Sequence, residues 1–394
     1  MGNLVVGPDR HGRVVTIAAG RVSATAPAHA EQLACSDGEI GMGEVDAHTH
    51  LYSGLVPLGM PPADPPPQDF LQILERVWWR LDRALTADIL SAAARFYIAE
   101  ALLLGTTTPI DHHESPHFID GSLDVLAHEL HALGARGLLC YGATDRNGGE
   151  EEGQAGLAEC DRFLSGPLHN RVRALVGLHA SFTVSDRTLR DAAALARRHD
   201  VPIHVHLAED LADVEDARRR GHAGPLERLT SLDCTPRGTL LAHGVHLDAA
   251  QVRATDRAGC WLVHNPRSNE GNRVGFAAHL DASTRVALGT DGWTADMPAE
   301  EAAAVRLGVD PALAHARRIA GHGLVAPHFG ASRLPLTEGA LGDLVVRREG
   351  AVQHVVVEGR VVVADGRLVE ADLDSIRAQA QDAANRLWER MAAL

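Results

Sequence analysis

Short apolar runs alternate with longer stretches in which apolar positions recur every three or four residues, and this alternation fills the middle of the chain. The runs fall at 44–50, 105–113, 135–141, 172–179, 202–207, 239–243, 260–264 and 286–291. Each has the length of a strand, and the segments between them, such as 69–103, 185–200 and 211–230, are long enough for helices. Strand–helix alternation predicts parallel βα units, and eight units predict a closed (β/α)8 TIM barrel. An open doubly wound sheet is the alternative, but no GxGxxG loop opens any of the helices.

The two ends have a different rhythm. Residues 1–43 carry β-prone runs punctuated by glycine, and a matching pattern returns at 344–346, 354–357 and 360–363, separated by the turn signals Glu358-Gly359 and Asp365-Gly366. Distant β-rich ends of this kind are expected to meet in one small β-sandwich domain made of 1–43 and 328–372. The barrel then spans 44–327, and 373–394, with helical periodicity, closes the chain as a terminal helix. The proline cluster at 61–67 reads as a stiff loop, because strand-like and helical segments flank it closely.

Charge and composition narrow the function. The formal net charge is −15, from 52 acidic against 37 basic residues. Such a balance disfavours nucleic acid and anionic membrane as partners and leaves a small molecule. Every basic residue other than histidine is arginine; lysine is absent. That excludes a Walker-type phosphate loop, a Schiff-base mechanism and a carbamylated lysine bridging two metals. The five cysteines, Cys35, Cys140, Cys160, Cys234 and Cys260, form no CxxC pair and read as reduced thiols. With neither a signal-like start nor a membrane-length apolar run, the expected location is the cytoplasm.

The chemistry concentrates at the predicted strand ends. Asp46-Ala47-His48-Thr49-His50 closes the first barrel run, and residues two apart on a strand share a side, so both imidazoles face inward. Such a pair suits zinc or iron. Alone it is weak, since the chain holds 23 histidines. It gains force because His206 ends the fifth run, His243 the sixth and Asp291 the eighth, all on the rim where barrels gather catalytic groups.

The set of motifs resembles the amidohydrolase superfamily, in the branch of cytosine, adenosine and triazine deaminases, nearest the SsnA-type aminohydrolases. The segments that carry it are HTHLYS (48–53), FLQILERVWWRLDRALT (70–86), GTTTPIDHHESP (105–116), GLHASFTVSD (177–186), HVHLAEDLADV (204–214), LAHGVHLD (241–248), VHNPRSN (263–269) and GTDGWTADM (289–297). The resemblance implies one divalent metal per chain, zinc or else iron, held by His48, His50, His206 and Asp291. It further implies Glu209 as proton shuttle and His243 as the group orienting the metal's water, with Asp291 taking its proton. Dimers and larger assemblies are usual in the family, and a homodimer is the expectation here.

Contacts to substrate are expected from His112 or His113 at the end of the second run, His179 at the fourth, and Asn265. Tyr52 and Trp293, which follow metal ligands, are expected as an apolar wall, whereas Trp78 and Trp79 read as helix packing. The implied reaction is hydrolytic deamination of a nitrogen heterocycle or cyclic amidine or guanidine, by hydroxide formed at the metal. Ring opening of a cyclic amide, or loss of another C–N leaving group, would use the same attack. A catalytically silent metal- or ligand-binding barrel is the alternative of another class, against which Glu209 counts.

Overall fold

The computed structural model describes residues 2–167 and 169–394. Its N-terminal strands are β1 (Leu4–Asp9), β2 (Val15–Ala18), β3 (Arg21–Ser23), β4 (Glu31–Cys35) and β5 (Glu39–Met42). The barrel follows with β6 (Glu44–Thr49), β7 (Thr106–His113), β8 (Gly137–Ala143), β9 (Val172–Ala174), β10 (Val176–Ala180), β11 (Ile203–Leu207), β12 (Leu240–His243), β13 (Trp261–His264) and β14 (Val286–Leu288). The C-terminal strands are β15 (Leu344–Arg348), β16 (Ala351–Val357), β17 (Arg360–Ala364) and β18 (Arg367–Leu368), and a helix over Leu373–Ala392 ends the chain.

All eight apolar runs hold barrel strands, the fourth broken at Leu175 into β9 and β10, both of which pair with β8. The parallel order runs from β6 through β7, β8, β10, β11, β12 and β13 to β14. Closure between first and last strands comes from the Thr49–Asp291 bridge, with the Thr290 and Asp291 amides donating to His48 O at 2.9 Å and the His50 amide donating to Asp291 O. Gly289 permits this approach: a Cβ there would lie 2.8 Å from His48 N and 2.6 Å from Asn265 Oδ1. Barrel closure thereby sets the His-x-His pair beside an aspartate 241 positions beyond His50.

The terminal strands do not merge into a single sheet. β3, β2, β1 and β4 form one sheet, while β5 alone joins β15 and, through it, the C-terminal strands. Leu4, Val6, Val15 and Ile17 of the first sheet meet Ile40, Leu344, Val346 and Val356 of the second in a common apolar core. Alternate residues of each strand point into that core, which is the packing of a sandwich. Arg136, at the foot of β8, reaches this unit through a buried bidentate pair with Asp343, at 2.8 and 3.1 Å.

Candidate metal centre and substrate cavity

On β11, Ile203, Val205 and Leu207 pack outward into the main apolar core, so His204 and His206 face the barrel interior. There His206 meets His50, with their Nε2 atoms 3.3 Å apart, and Asp291 Oδ1 lies 2.9 Å from His50 Nε2 and 3.2 Å from His48 Nε2. One donor atom from each of His48, His50, His206 and Asp291 falls within 4.8 Å of the others.

The second ring nitrogens decide what this cluster can hold. His50 Nδ1 donates to His112 O at 2.5 Å, and His206 Nδ1 donates to His179 O at 2.6 Å. A carbonyl only accepts, so both Nδ1 atoms carry protons, and each ring when neutral turns its Nε2 lone pair toward the shared point. His48 is oriented from behind by His204, whose Nε2 lies 2.9 Å from His48 Nδ1; His204 itself rests on Cys140, at 3.7 Å. Burial pushes His48 down to about 3 and His206 well below its usual range, which keeps them as neutral ligands. Burial lowers His50 too, but the Asp291 carboxylate, 2.9 Å from its Nε2, outweighs it and lifts this ring to about 9, so this nitrogen draws a positive charge, either a proton shared with Asp291 or a metal ion in its place. Converging lone pairs beside a carboxylate call for a cation, and three imidazoles with one carboxylate suit a divalent transition metal.

Three turns aim side chains at this point through left-handed backbone at residues other than glycine: Ala208 (φ 48°), His243 (φ 75°) and Asp291 (φ 56°). The turn at Ala208, whose amide donates to Asp213 Oδ2, carries Glu209 back over the cluster. Glu209 accepts from Asn272 Nδ2 at 3.3 Å and lies 3.6 Å from His243 Nε2. Burial, opposed by His243 and reinforced by Asp291, pushes Glu209 up to about 7. His243 Nδ1 donates to Asn269 Oδ1 at 2.8 Å, which leaves its buried Nε2 without a hydrogen-bond partner. Asp291 Oδ2 accepts from Ser268 at 2.5 Å.

A cavity with about 580 Å³ of empty space opens over the cluster, lined by His50, His206, Glu209 and Asp291 at one end. Tyr52 and His179 also line it, whereas His112, His113, Asn265 and Trp293 do not. His112 lies deeper, donating through Nε2 to Leu178 O at 2.9 Å, with Nδ1 2.7 Å from Glu114. His113 points to the other side of β7, against Tyr52 and Tyr141, and bonds Ser115. Asn265 is fully buried behind the rim, and Trp293 lies on the outside, 48% exposed, beside the Arg267 guanidinium. His243 reaches the cluster from the side, with a ring nitrogen within 4.8 Å of carboxylate oxygens of Glu209 and Asp291.

Other walls of the cavity come from residues that sequence reasoning passed over or read as packing. Trp78 and Trp79 both line it, at the point where the helix over 70–84 passes from a π turn at Leu74–Trp78 into an α-helical turn. Glu114 lines it as well, one position beyond the two histidines that drew attention. The buried ion pair of Asp82 with Arg146, whose guanidinium lies 5.2 Å from the Trp79 ring, completes that wall. Asp82 lies in the helix over 70–84 and Arg146 in the loop after β8, so no local pattern could have joined them.

The description "Amidohydrolase family" matches this chain over residues 42–322. An 8-oxoguanine deaminase from Pseudomonas aeruginosa is 30% identical over 309 residues, covering 74% of this chain and 67% of the relative. A 5-methylthioadenosine/S-adenosylhomocysteine deaminase from Haloquadratum walsbyi is 28% identical over 388 residues, covering 89% and 85%. Among solved structures, an adenosine deaminase from Xanthomonas campestris with bound zinc is similar in fold, with a TM-score of 0.80 at 22% identity, over 98% of this chain and 97% of that one. The barrel, its histidine–aspartate cluster and this match lead to one conclusion: the chain belongs to the amidohydrolase family and is a metal-dependent hydrolase acting on carbon–nitrogen bonds.

Proposed function

We propose that the enzyme hydrolytically deaminates a nitrogen heterocycle, or a cyclic amidine or guanidine, using a single zinc ion held by His48, His50, His206 and Asp291. The observation that carries this reading is the pair of Nε2 lone pairs, from His50 and His206, facing each other at 3.3 Å beside the Asp291 carboxylate. When bound, such an ion acts as a Lewis acid and brings the pKa of a water toward neutrality.

The remaining work falls to side chains. Glu209, held between Asn272 and His243, takes a proton on the water side and returns it to a ring nitrogen of the substrate as the carbon is attacked. His243 accepts a hydrogen bond through its free Nε2 and so orients that water. Asp291, braced by Ser268, receives the water's proton. His179 donates through Nδ1 to Thr183 at 2.8 Å and thereby offers Nε2 as an acceptor for a substrate N–H. Tyr52, Trp78, Trp79 and Phe182 form apolar walls that favour a planar ring and exclude bulk water.

Two relatives are named for deaminating purine compounds, so free purines and purine nucleosides head the substrate panel. Metal analysis and ammonia release, measured together on purified protein with purines, pterins, pyrimidines, triazines and cyclic guanidines, test the reading. About one zinc per chain with ammonia from a panel member supports it. Protein that neither carries nor takes up metal refutes it.

In the same proposal the enzyme works in the cytoplasm as a homodimer. Five buried, unpaired cysteines fit a reducing compartment; among the described residues no helix is long and apolar enough to cross a membrane. Light scattering at micromolar concentration decides the assembly.

A further inference from the structure

At the opposite end of the barrel, below the N-terminal ends of β9, β11, β12 and β13, lies a second cavity with about 1250 Å³ of empty space. Four arginines line it, Arg173, Arg237, Arg285 and Arg333, with His199 and His328; Asp200 is its one carboxylate. In a chain of net charge −15 this is a local reversal of sign. Nearby acids have other partners: Asp161 pairs with Arg198 and His199, at 2.5 and 2.7 Å, and Asp233 faces Arg197 at 3.7 Å, while Asp256, which feels the Arg285 charge, accepts from Ser283 and Thr284. Among the described residues, Arg237, Arg285 and Arg333 form no ion pair.

One of the four has a clear structural task. Arg173 donates through Nε to His328 O at 3.0 Å and through Nη1 to Val172 O at 2.8 Å, and its guanidinium lies 4.6 Å from the Phe329 ring. Burial, together with the neighbouring Arg136 and Arg21, lowers its pKa. Arg285 lies over the Trp261 ring at 5.7 Å, which holds its guanidinium toward the cavity floor. Arg237 rests over Gly259, where an added Cβ would come within 3.1 Å of Arg237 Cγ. Like charges held together on a concave surface raise each other's energy unless an anion lies between them. Guanidinium groups bind phosphate oxygens in bidentate fashion, so several around one hollow suit a ligand with more than one phosphate.

We infer that this floor cavity is a binding site, separate from the metal centre, for a small phosphorylated polyanion, with Arg237, Arg285 and Arg333 as its anion contacts. The ligand enters from the N-terminal face, so it does not compete with substrate for space and can act on the barrel only from below.

The test is calorimetry on the metal-loaded protein with two probes, inorganic phosphate and propane-1,3-diol bisphosphate, at fixed ionic strength. The expected result is saturable binding of about one bisphosphate per chain, at least tenfold tighter than phosphate. Binding should weaken at least tenfold in the double variant Arg237→Ser/Arg285→Ser and weaken further when Arg333→Ser is added. Melting temperature and metal content should stay at wild-type values, since these side chains lie at the surface of the floor. Absence of binding at millimolar bisphosphate overturns the inference. So does binding that the arginine variants leave intact, because the anion would then sit elsewhere, the metal included.

Discussion

The two ends of the barrel are built from the same strands yet carry opposite chemistry. At the C-terminal rim, His48, His50, His206 and Asp291 turn lone pairs and negative charge toward one buried point. At the floor, Arg173, Arg237, Arg285 and Arg333 turn positive charge toward an open hollow. The rim is over-determined: each ligand is gripped from behind by a carbonyl, a hydroxyl or another imidazole. The floor arginines, Arg173 apart, are gripped mainly by packing. A site for chemistry needs rigid first contacts and a supporting layer, whereas a site for charge needs only density of sign.

Glu209→Gln would separate chemistry from metal binding at the rim with the largest expected effect. Turnover should fall by about two to four orders of magnitude, the usual cost of losing a positioned proton carrier, while metal content is unchanged. Retention of full turnover in a steady-state ammonia assay would remove Glu209 from its assigned role.

Arg136→Met probes how the floor is tied to the terminal sandwich. It strips Asp343 of its bidentate partner in a buried setting, and chemical denaturation should register a loss of about 3–5 kcal/mol. A loss under ~1 kcal/mol would mean that water or another group takes over.

His204→Phe asks whether the layer behind the ligands matters. Loss of the contact to His48 Nδ1 should weaken metal affinity by about 10- to 100-fold. The stability of the metal-free protein should fall far less, and His204→Gln should recover part of the affinity. Competition with a chelator reads the difference.

The smallest effect concerns acid. Burial lowers His322, in the helix over Pro311–Val325, to about 4, against the opposing pull of Asp343. The unfolded chain therefore takes up this proton first, and the contribution to stability is lost as the pH falls from about 6.5 toward 4, with no change above that window. At pH 5.5 the loss from this residue should be on the order of 1 kcal/mol relative to pH 8. His322→Gln should flatten that part of the stability–pH curve, and an unaltered slope would assign it to other groups.

How much of this was legible beforehand follows the range of each signal. All eight barrel strands could be read, because an apolar run between helical stretches is a local pattern that burial on both faces enforces. The split of the terminal strands into two sheets could not: both ends read only as short β-prone runs, and it is the pairing of β5 with β15 that separates the partners. At the site, His48 and His50 declare themselves by spacing on one strand, and Glu209 by following His206 in a motif. His112 and His113 were expected at the substrate but lie beneath and behind the cavity, since the turn after β7 brings Glu114 there instead. Trp78 and Trp79 looked like packing because nothing local marks which side of the helix over 70–84 will border the cavity.

The sequence by itself determined the strand–helix order, the absence of any lysine chemistry and the residues able to bind a metal, since each depends on neighbours a few positions apart. Only the tertiary structure decided which of those residues converge. Closing β6 against β14 brought Asp291 to His48, packing the helix over 70–84 against the loop after β8 brought Asp82 to Arg146, and the barrel floor gathered four distant arginines. Contacts of that kind exist only once the barrel is closed, because closure, and no local preference, sets which strand ends share a rim.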